Sequence, residues 1–480
     1  MSTFSFHTLM FPFRWKVANL VNKPFSEQID LNSIHYGQSS NWERVGIPPT
    51  NEKESDDLYN ERNYFYEFVH PTLYDDNSDT SLIRHYERLE PKHGESISYR
   101  IVCGKNKQEY ALDVQAINLN LYSSGVGMLS FYLYNTRYPN VQDVLAINQY
   151  GRRVFPPFIG DVETRFELAH RIEIAGLNGV YSEDFSRYTN NVKSNTPASF
   201  IPKMVHEVAE NIELQPVVDD RMFVLCWYKN EEWAGKFQNG YDNFIKCDED
   251  WYKFVFVDNY YGLSCQNEEM RWEIIKKATY ERWQNYTSLY GISRYSMVYL
   301  TNESCPSHLT NYFETEYARM AELVLMQRAT VLRFSSEVTS ISKLSGGKGF
   351  GERVSSLYKE YIRFENQMYF REISAQDQGI EMYQKLYDAM NLNEQVEKLD
   401  EEIQELYNYV TLREDRQTNK TMSLLTWITT IFLPVTVIAG YFSMNDFGMN
   451  DKFIFQSFVM ICFVVLVISI VFVIYKKQIK

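Results

Sequence analysis

The chain has 480 residues, 45% of them hydrophobic, and its 62 Asp and Glu against 48 Lys and Arg give a net charge of −14. This length allows two or three domains with packed cores, and the acidic balance with no basic stretch excludes nucleic acid as a partner. The six cysteines show no CxxC spacing, which predicts reduced cytosolic thiols rather than a disulfide framework or a zinc site.

Residues 1–305 are predicted to form a cytosolic α/β domain. Phe4–Trp15 has the pattern of a strand, and the chain then looks irregular as far as about residue 95. Helices are predicted at Val141–Gln149 and Asn267–Tyr286. The mixture of strands and helices favours a layered domain that ends near Cys305. The later strands are predicted at Ser98–Cys103, Glu109–Tyr122, Met128–Tyr134, Met222–Tyr228, Tyr252–Asp258 and Tyr295–Thr301.

Residues 306–421 are predicted to be a stalk of long helices. One helix covers Ser307–Lys343, a Gly-rich turn follows, and a second helix begins at Glu352. The turn lacks the GxxxxGK[ST] order of a phosphate-binding loop. No helix breaker occurs between about Ile380 and Pro434, which predicts one helix of about 60 residues, ~90 Å long. Apolar residues recur along it at spacings of four and three, as in a coiled coil: Leu392, Val396, Leu399, Ile403, Leu406 and Val410.

Residues 422–475 are predicted to form two transmembrane helices with an external loop at 443–452. Neither apolar run carries a charged side chain, and each is long enough to cross a bilayer. Basic residues lie before the first run and after the second, whereas the loop carries Asp446 and Asp451. This charge pattern predicts a multi-pass protein of the inner (plasma) membrane with both termini in the cytoplasm. The N-terminus lacks the pattern of a cleavable signal, so we expect the residues before the hairpin to be cytosolic.

The first apolar run carries a family resemblance. From Asn419 the chain reads NKTMSLLTWITTIFLPVTVIAGYFSMN. This segment resembles the CorA superfamily of divalent-cation (Mg²⁺) channels, in which an FxPxTxIAG run leads into a Tyr-Gly-Met-Asn-like tetrad. Met444-Asn445 closes the motif, Ser443 replaces the family Gly, and a second Gly-Met-Asn at 448–450 lies at the wrong distance. The residues at the positions of the run are Pro434, Thr436, Ile438, Ala439 and Gly440.

Two transmembrane helices cannot enclose a water-filled path, so a pore requires a ring of subunits. The resemblance implies a homopentamer whose pore is lined by the first transmembrane helix. Met422 and Leu425 would form a hydrophobic constriction that gates by dewetting. The alternative is that this face of the first transmembrane helix only packs against the second helix. The pore-lining and gate candidates are Asn419, Met422, Leu425, Thr426, Leu433 and Thr436.

The selectivity filter is predicted at Ser443, Met444 and Asn445. Mg²⁺ gives up its water reluctantly, so a ring of Asn445 carboxamides would hold the hydrated ion, and the acidic loop would raise the local cation concentration. The resemblance makes Mg²⁺ the transported ion, and we expect no resident cofactor. The sequence shows no set of nucleophile and base residues typical of a catalytic site, so we expect that the protein is not an enzyme. The expected partners are the lipid bilayer, further copies of the chain and divalent cations.

The large cytosolic domain and Ser443 further resemble the CorA-like membrane effectors associated with type III CRISPR systems. That resemblance implies an antiviral channel switched by a nucleotide second messenger of the S-adenosylmethionine–AMP type. Arg152 and Arg153, in an apparent turn, are candidates to pair with its phosphate. Asp219 and Asp220, at the start of a strand, are candidates to accept from ribose hydroxyls or to pair with a sulfonium or an amine. For the residues, the alternative is a surface charge pair or a mutual salt bridge. For the protein, the alternative is a housekeeping transporter of Mg²⁺ or another divalent metal gated by cytosolic Mg²⁺.

Overall fold

The protein is described here by a computed structural model. It covers residues 3–20, 23–37, 41–47, 56–89, 96–104, 107–155, 168–185, 197–217, 221–259, 262–343, 349–444, 459–461 and 463–464. The chain divides into two compact units, an N-terminal unit over Met1–Ile403 and a C-terminal unit over Gln404–Lys480.

Thirteen strands among the described residues form one sheet. They are β1 Ser5–Val17, β2 Trp42–Arg44, β3 Ile83–Arg88, β4 Ser98–Cys103, β5 Gln108–Tyr122, β6 Val126–Asn135, β7 Arg171–Ala175, β8 Ser182–Asp184, β9 Ile212–Pro216, β10 Phe223–Lys229, β11 Thr279–Tyr280, β12 Ser288–Ile292 and β13 Ser296–Thr301.

The strand order is β11-β12-β13-β10-β1-β6-β5-β4-β7-β8, with β3 and β2 added beside β5 and β9 beside β1. Strands β10 and β13 run parallel, and the other described pairs are antiparallel. Strand β13 is buried at every position and β10 at all but its last. Strands buried on both faces require cover on both sides of the sheet.

Helices that pack on the strands supply that cover. The described helices of the chain are α1 Phe25–Gln28, α2 Asp56–Tyr64, α3 His70–Leu73, α4 Val141–Gly151, α5 Phe200–Val208, α6 Glu231–Asn239, α7 Tyr241–Cys247, α8 Glu249–Phe256, α9 Glu268–Ala278, α10 Ser307–Glu314, α11 Glu316–Ser342, α12 Phe350–Gln367, α13 Asp377–Met390 and α14 Leu392–Met444.

Helices α4 and α11 lie on opposite faces of β1. The His7 Nδ1 atom lies 2.7 Å from Asn148 Oδ1 of α4. The preceding residue, Phe6, points to the other face, where it lines a cavity with Ala318 of α11. Adjacent residues of a strand point to opposite faces, so the N-terminal unit has a helix–sheet–helix layering. The predicted layered α/β domain is confirmed in this form.

Most predicted strands are confirmed within two residues, since β1, β4, β5, β6, β10 and β13 occupy the predicted segments. The region before residue 95 is less irregular than predicted, because it also contains β2, β3 and three helices. Strand β3 pairs with β5 from Ile83 opposite Tyr122 to Glu87 opposite Asn118. Pairing with a long central strand stabilises a segment whose own pattern is weak.

The predicted strand at Tyr252–Asp258 is wrong, because these residues belong mainly to helix α8. The Asp248 side chain accepts a hydrogen bond from the Trp251 backbone N–H at 2.8 Å, which caps the helix start. Burial of Trp251, Phe254 and Val255 follows the helical spacing of three and four residues. The predicted helix over Asn267–Tyr286 is too long, since α9 ends at Ala278 and Thr279 begins β11.

The helical region after residue 306 is confirmed as helical, but with breaks. The first predicted helix is divided at Thr315 into α10 and α11, and the long helix begins at Leu392 rather than near Ile380. Between α13 and α14, Asn391 adopts a left-handed conformation with φ 53°. Its backbone N–H closes α13, and its side chain donates to Glu394 Oε2 at 2.8 Å in α14. Asn tolerates this conformation, which explains a break without Gly or Pro.

The predicted division after residue 305 does not coincide with the compact units. Helix α11 packs on β1 and β6, and α12 and α13 pack on α11, so all three belong to the N-terminal unit. Leu392, Val396, Leu399 and Ile403 of the predicted seam are buried in that unit as well. The apolar face of α11 covers the sheet, which is why the domain extends well past the last strand.

Replacing Asn391 with Ala should destabilise the N-terminal unit by about 1 kcal/mol, because a Cβ penalises the left-handed conformation. Asn391→Gly is the matched control, since it loses the same side-chain bond to Glu394 but adopts positive φ without strain. The unfolding midpoint of the detergent-solubilised chain measures both. Equal midpoints for the two variants would contradict the assignment of strain to this residue.

Candidate functional site

Arg152 and Arg153 lie at the C-terminal end of α4 and line a cavity of about 520 Å³, here called the arginine cavity. Both side chains are largely buried, with 2% and 5% of their residue surface exposed. They are therefore not a surface charge pair, which was one of the two alternative interpretations; the other is a salt bridge. The other walls come from the end of α8, from the segment 262–266 and from Tyr295, directly before β13.

The backbone brings residues 221–222 beside the predicted ligand-binding residues Arg152 and Arg153. The Met222 N–H donates to the Arg152 carbonyl at 2.7 Å, and Arg153 forms an isolated β-bridge with Arg221. Asp219 and Asp220 lie outside the described residues, but they directly precede Arg221 in the chain. The segments at 152–153 and 221–222 are thus neighbours in the fold, although they are far apart in sequence.

Tyr295 lies beside two guanidinium groups of the arginine cavity. The Arg221 Cζ atom is 4.8 Å from the Tyr295 ring centroid, and the Arg152 Cζ atom is 5.6 Å from it. Both distances lie within the range of cation–π interactions. Arg152 also donates from Nη2 to the Val257 carbonyl at 2.8 Å. This contact fixes the guanidinium against the end of α8.

The α8 wall adds aromatic and backbone features. The Tyr252 and Phe256 rings lie 4.7 Å apart, and burial raises the pKa of the Tyr252 phenol, which keeps it neutral. Val257, at the end of α8, has φ 48°, a conformation that a β-branched residue rarely adopts. Asp258 accepts a hydrogen bond from the Ser264 N–H at 2.7 Å, so its carboxylate orders the next wall segment.

Gln149 contributes a buried polar atom to the same cavity. It is 2% exposed, and its Oε1 atom has no hydrogen-bond partner among the described residues. Buried side-chain oxygens nearly always have a partner, so this atom can accept a bond from a ligand donor.

Among the residues that the structure describes, the lining of the arginine cavity therefore combines three guanidinium groups with one carboxylate and three aromatic rings. Such a lining favours an anion that carries a planar group, since guanidinium groups bind phosphate and pack on aromatic faces. Sequence reasoning missed Arg221, Tyr295 and Tyr252. Arg221 had a signal, its place beside Asp219-Asp220 at a strand start. The two tyrosines had none, because 36 tyrosines in the chain offer no way to choose among them.

The predicted pore residues lie on α14 in the C-terminal unit. They are Asn419, Met422, Leu425, Thr426, Leu433 and Thr436, and all are exposed in the single chain. Large apolar side chains such as Met422, Leu425 and Leu433 are each more than half exposed. Contiguous exposed apolar surface of this kind requires lipid or a protein partner to cover it.

The hydroxyl groups on α14 bond to their own helix. Thr426, Thr429 and Thr436 donate to the carbonyls four residues earlier, at 2.8, 2.9 and 2.8 Å. This satisfies each hydroxyl donor inside an apolar helix and leaves the oxygen free to accept a hydrogen bond.

The predicted filter falls at the edge of the described residues. Helix α14 ends at Met444, and Asn445 with the rest of the loop lies outside them, as do the side chains of Ser443 and Met444. Most of the predicted second transmembrane helix also lies outside, apart from 459–461 and 463–464. The filter assignment stays a prediction.

One helix within the described residues, over Leu392–Val437, is long and apolar enough to cross a membrane, and its most apolar stretch is not buried. Residues 357–477 match the family of CorA-like Mg²⁺ transporter proteins. The CorA-like segment begins within α12 and includes α13, α14 and both apolar runs. Members of this family are membrane-embedded ion transporters, so the match supports the resemblance to the CorA superfamily and indicates divalent-cation transport. No curated protein matches the chain.

Proposed function

We propose that this chain is the subunit of a homopentameric divalent-cation channel whose pore is controlled by a nucleotide bound in the arginine cavity. The observation that carries the nucleotide half of the proposal is the lining of that cavity by Arg152, Arg153 and Arg221 around Tyr295. The channel half rests on the CorA-like segment and on the exposed apolar face of α14.

The cavity suits a nucleotide in charge, shape and size. Guanidinium groups give charge-assisted hydrogen bonds to phosphate, and Tyr295 or Tyr252 offers a face for a base. Its volume of about 520 Å³ lies within the roughly 300–1,000 Å³ typical of small-molecule sites. The aspartates at 219–220, next in the chain to Arg221, are the proposed partners for ribose hydroxyls or an amine.

The proposed biological role follows from the resemblance to CorA-like effectors associated with type III CRISPR systems. In that role the channel is an antiviral effector in the inner membrane, with both termini in the cytoplasm, and a conjugate of S-adenosylmethionine and AMP opens it. The competing function is a housekeeping Mg²⁺ transporter that closes when cytosolic Mg²⁺ binds. An arginine cavity has no role in that second mechanism.

Reconstitution in liposomes tests the proposal. We expect Mg²⁺ entry, followed with an encapsulated Mg²⁺-sensitive dye, to increase at least tenfold when the S-adenosylmethionine–AMP conjugate is added at constant Mg²⁺. Arg100→Ala, an exposed arginine of β4 outside the cavity, should respond as the wild type does. Flux that responds only to removal of Mg²⁺, with or without the nucleotide, would favour the housekeeping transporter and contradict the proposal.

A further inference from the structure

A second cavity of the N-terminal unit has the opposite charge. It has a volume of about 280 Å³ and lies between the sheet and the start of α11. Three carboxylates on three different elements line it: Glu61 of α2, Glu87 of β3 and Glu314 of α10. Arg319 is the one basic side chain among its described lining residues. We call it the acidic cavity.

Arg319 does not neutralise this surface. Its Nε atom lies 3.2 Å from Glu61 Oε1, and its Nη1 atom lies 3.5 Å from Glu322 Oε2, so two carboxylates already share its charge. Burial raises the pKa of Glu314, although Trp227 and Tyr134 both donate hydrogen bonds to it. The excess of carboxylates gives the cavity a negative potential that a cation would relieve.

Unsatisfied buried oxygens give an independent indication of a ligand. Asn118 lines the acidic cavity and is 8% exposed, and its Oδ1 atom has no hydrogen-bond partner among the described residues. On the same face of the sheet, the hydroxyls of Thr8 and Ser130 also lack partners within the described ranges, and Ser130 lies directly opposite Asn118. Asn118 Oδ1 can only accept a hydrogen bond, so the group missing at this atom is a donor, whereas the two hydroxyls can accept or donate.

The lining favours an organic cation over a metal ion. Within the described residues no three His, Cys, Asp or Glu side chains are grouped closely enough to hold a metal ion. The carboxylates instead lie on separate elements, which suits a ligand with several separate charges. The rings of Phe6 and Tyr132, 6.3 Å apart, line the same space and can contact alkyl groups or the face of an ammonium.

We propose that the acidic cavity binds a linear polyamine, an alkyl chain with two or more ammonium groups. Each terminal ammonium has three donors and no acceptor, and each internal one has two, which matches a lining of carboxylate, amide and hydroxyl oxygens. The described lining residues all belong to the N-terminal unit and none lines the arginine cavity, so the proposal does not rest on the nucleotide site or on the pore.

Calorimetric titration of the full-length chain in detergent with spermidine tests this at fixed ionic strength. Glu87→Gln should weaken spermidine binding at least about tenfold, because it removes one charge-assisted hydrogen bond without changing side-chain volume. Ala116→Leu should also weaken it at least about tenfold, because it keeps every charge and fills the cavity. Glu109→Gln removes an exposed carboxylate at the start of β5 and should bind as the wild type does.

Different results would overturn the proposal. They are wild-type affinity in both Glu87→Gln and Ala116→Leu, an equal loss in Glu109→Gln, or no spermidine binding to the wild type. Binding of Mg²⁺ that depends on Glu87, with no spermidine binding, would make the cavity a metal site. If spermidine bound only in the pore, neither cavity variant would change its affinity. An unchanged unfolding midpoint without ligand shows for each variant that the fold is intact.

Discussion

Replacing Arg152 and Arg153 together with Ala is expected to weaken nucleotide binding by at least about a hundredfold. Each guanidinium should supply a charge-assisted hydrogen bond to phosphate worth ~1.5–3 kcal/mol. Two such bonds amount to ~3–6 kcal/mol, and ~1.4 kcal/mol is tenfold in affinity. Calorimetric titration of the solubilised channel with the S-adenosylmethionine–AMP conjugate measures the loss directly.

A second variant is needed because the double replacement can also affect folding. Arg152 is buried and donates to the Val257 carbonyl, so its replacement also removes a contact at the end of α8. Arg221 is only half-buried, and it begins the described segment 221–259 rather than ending a helix. Arg221→Gln should therefore reduce affinity about tenfold while leaving the unfolding midpoint unchanged, which separates binding from folding.

Two comparisons complete the test. Arg100→Ala should bind the nucleotide as the wild type does, because Arg100 is exposed on β4 and outside the cavity. Asp219→Asn combined with Asp220→Asn should abolish activation by removing the contacts at the other end of the ligand. Wild-type affinity in both arginine variants would mean that the cavity is not the nucleotide site, even if the protein conducts cations.

The strands could be predicted where the alternation of apolar and polar residues in the sequence matches the alternation of buried and exposed residues in the fold. In β4, Tyr99 and Ile101 are fully buried while Arg100 between them is exposed, and this alternation can be read from the residues alone. The run around Tyr252 gave the wrong answer because a short apolar run fits a buried strand or a buried helix equally well. Asp248, as a helix cap, was the signal that distinguishes them.

The candidate site was predictable only in part. Arg152 and Arg153 were predicted as ligand-binding residues because they are adjacent cations beside apolar residues, and both line the arginine cavity. Their neighbour Arg221 and the ring of Tyr295 come from distant parts of the chain. Only the pairing of strands and the packing of α8 bring them together, and no local rule on spacing encodes such a contact. The break between α13 and α14 at Asn391 could not be predicted either, because Asn occurs both inside and outside helices.

Asn445→Ala is expected to abolish or deregulate Mg²⁺ flux while the channel still assembles. The prediction rests on the position of Asn445, one residue beyond the end of α14 and at the family distance from Pro434. A ring of Asn445 carboxamides, one from each subunit, can accept hydrogen bonds from the water shell of Mg²⁺, which is costly to remove. Alanine cannot, so selectivity for Mg²⁺ over Na⁺ should fall at least tenfold, or conduction should stop.

The same loop contains its own control. Asn450 closes a literal Gly-Met-Asn at 448–450, but at the wrong distance from Pro434, so Asn450→Ala should leave flux and selectivity unchanged. Native mass spectrometry in mild detergent should give pentamers for both variants, and a monomer or dimer in the wild type would contradict the ring itself. Loss of selectivity in Asn450→Ala with none in Asn445→Ala would move the filter to the second motif. In that case Ser443 would no longer occupy the position of the family Gly, and its hydroxyl would play no part in ion choice.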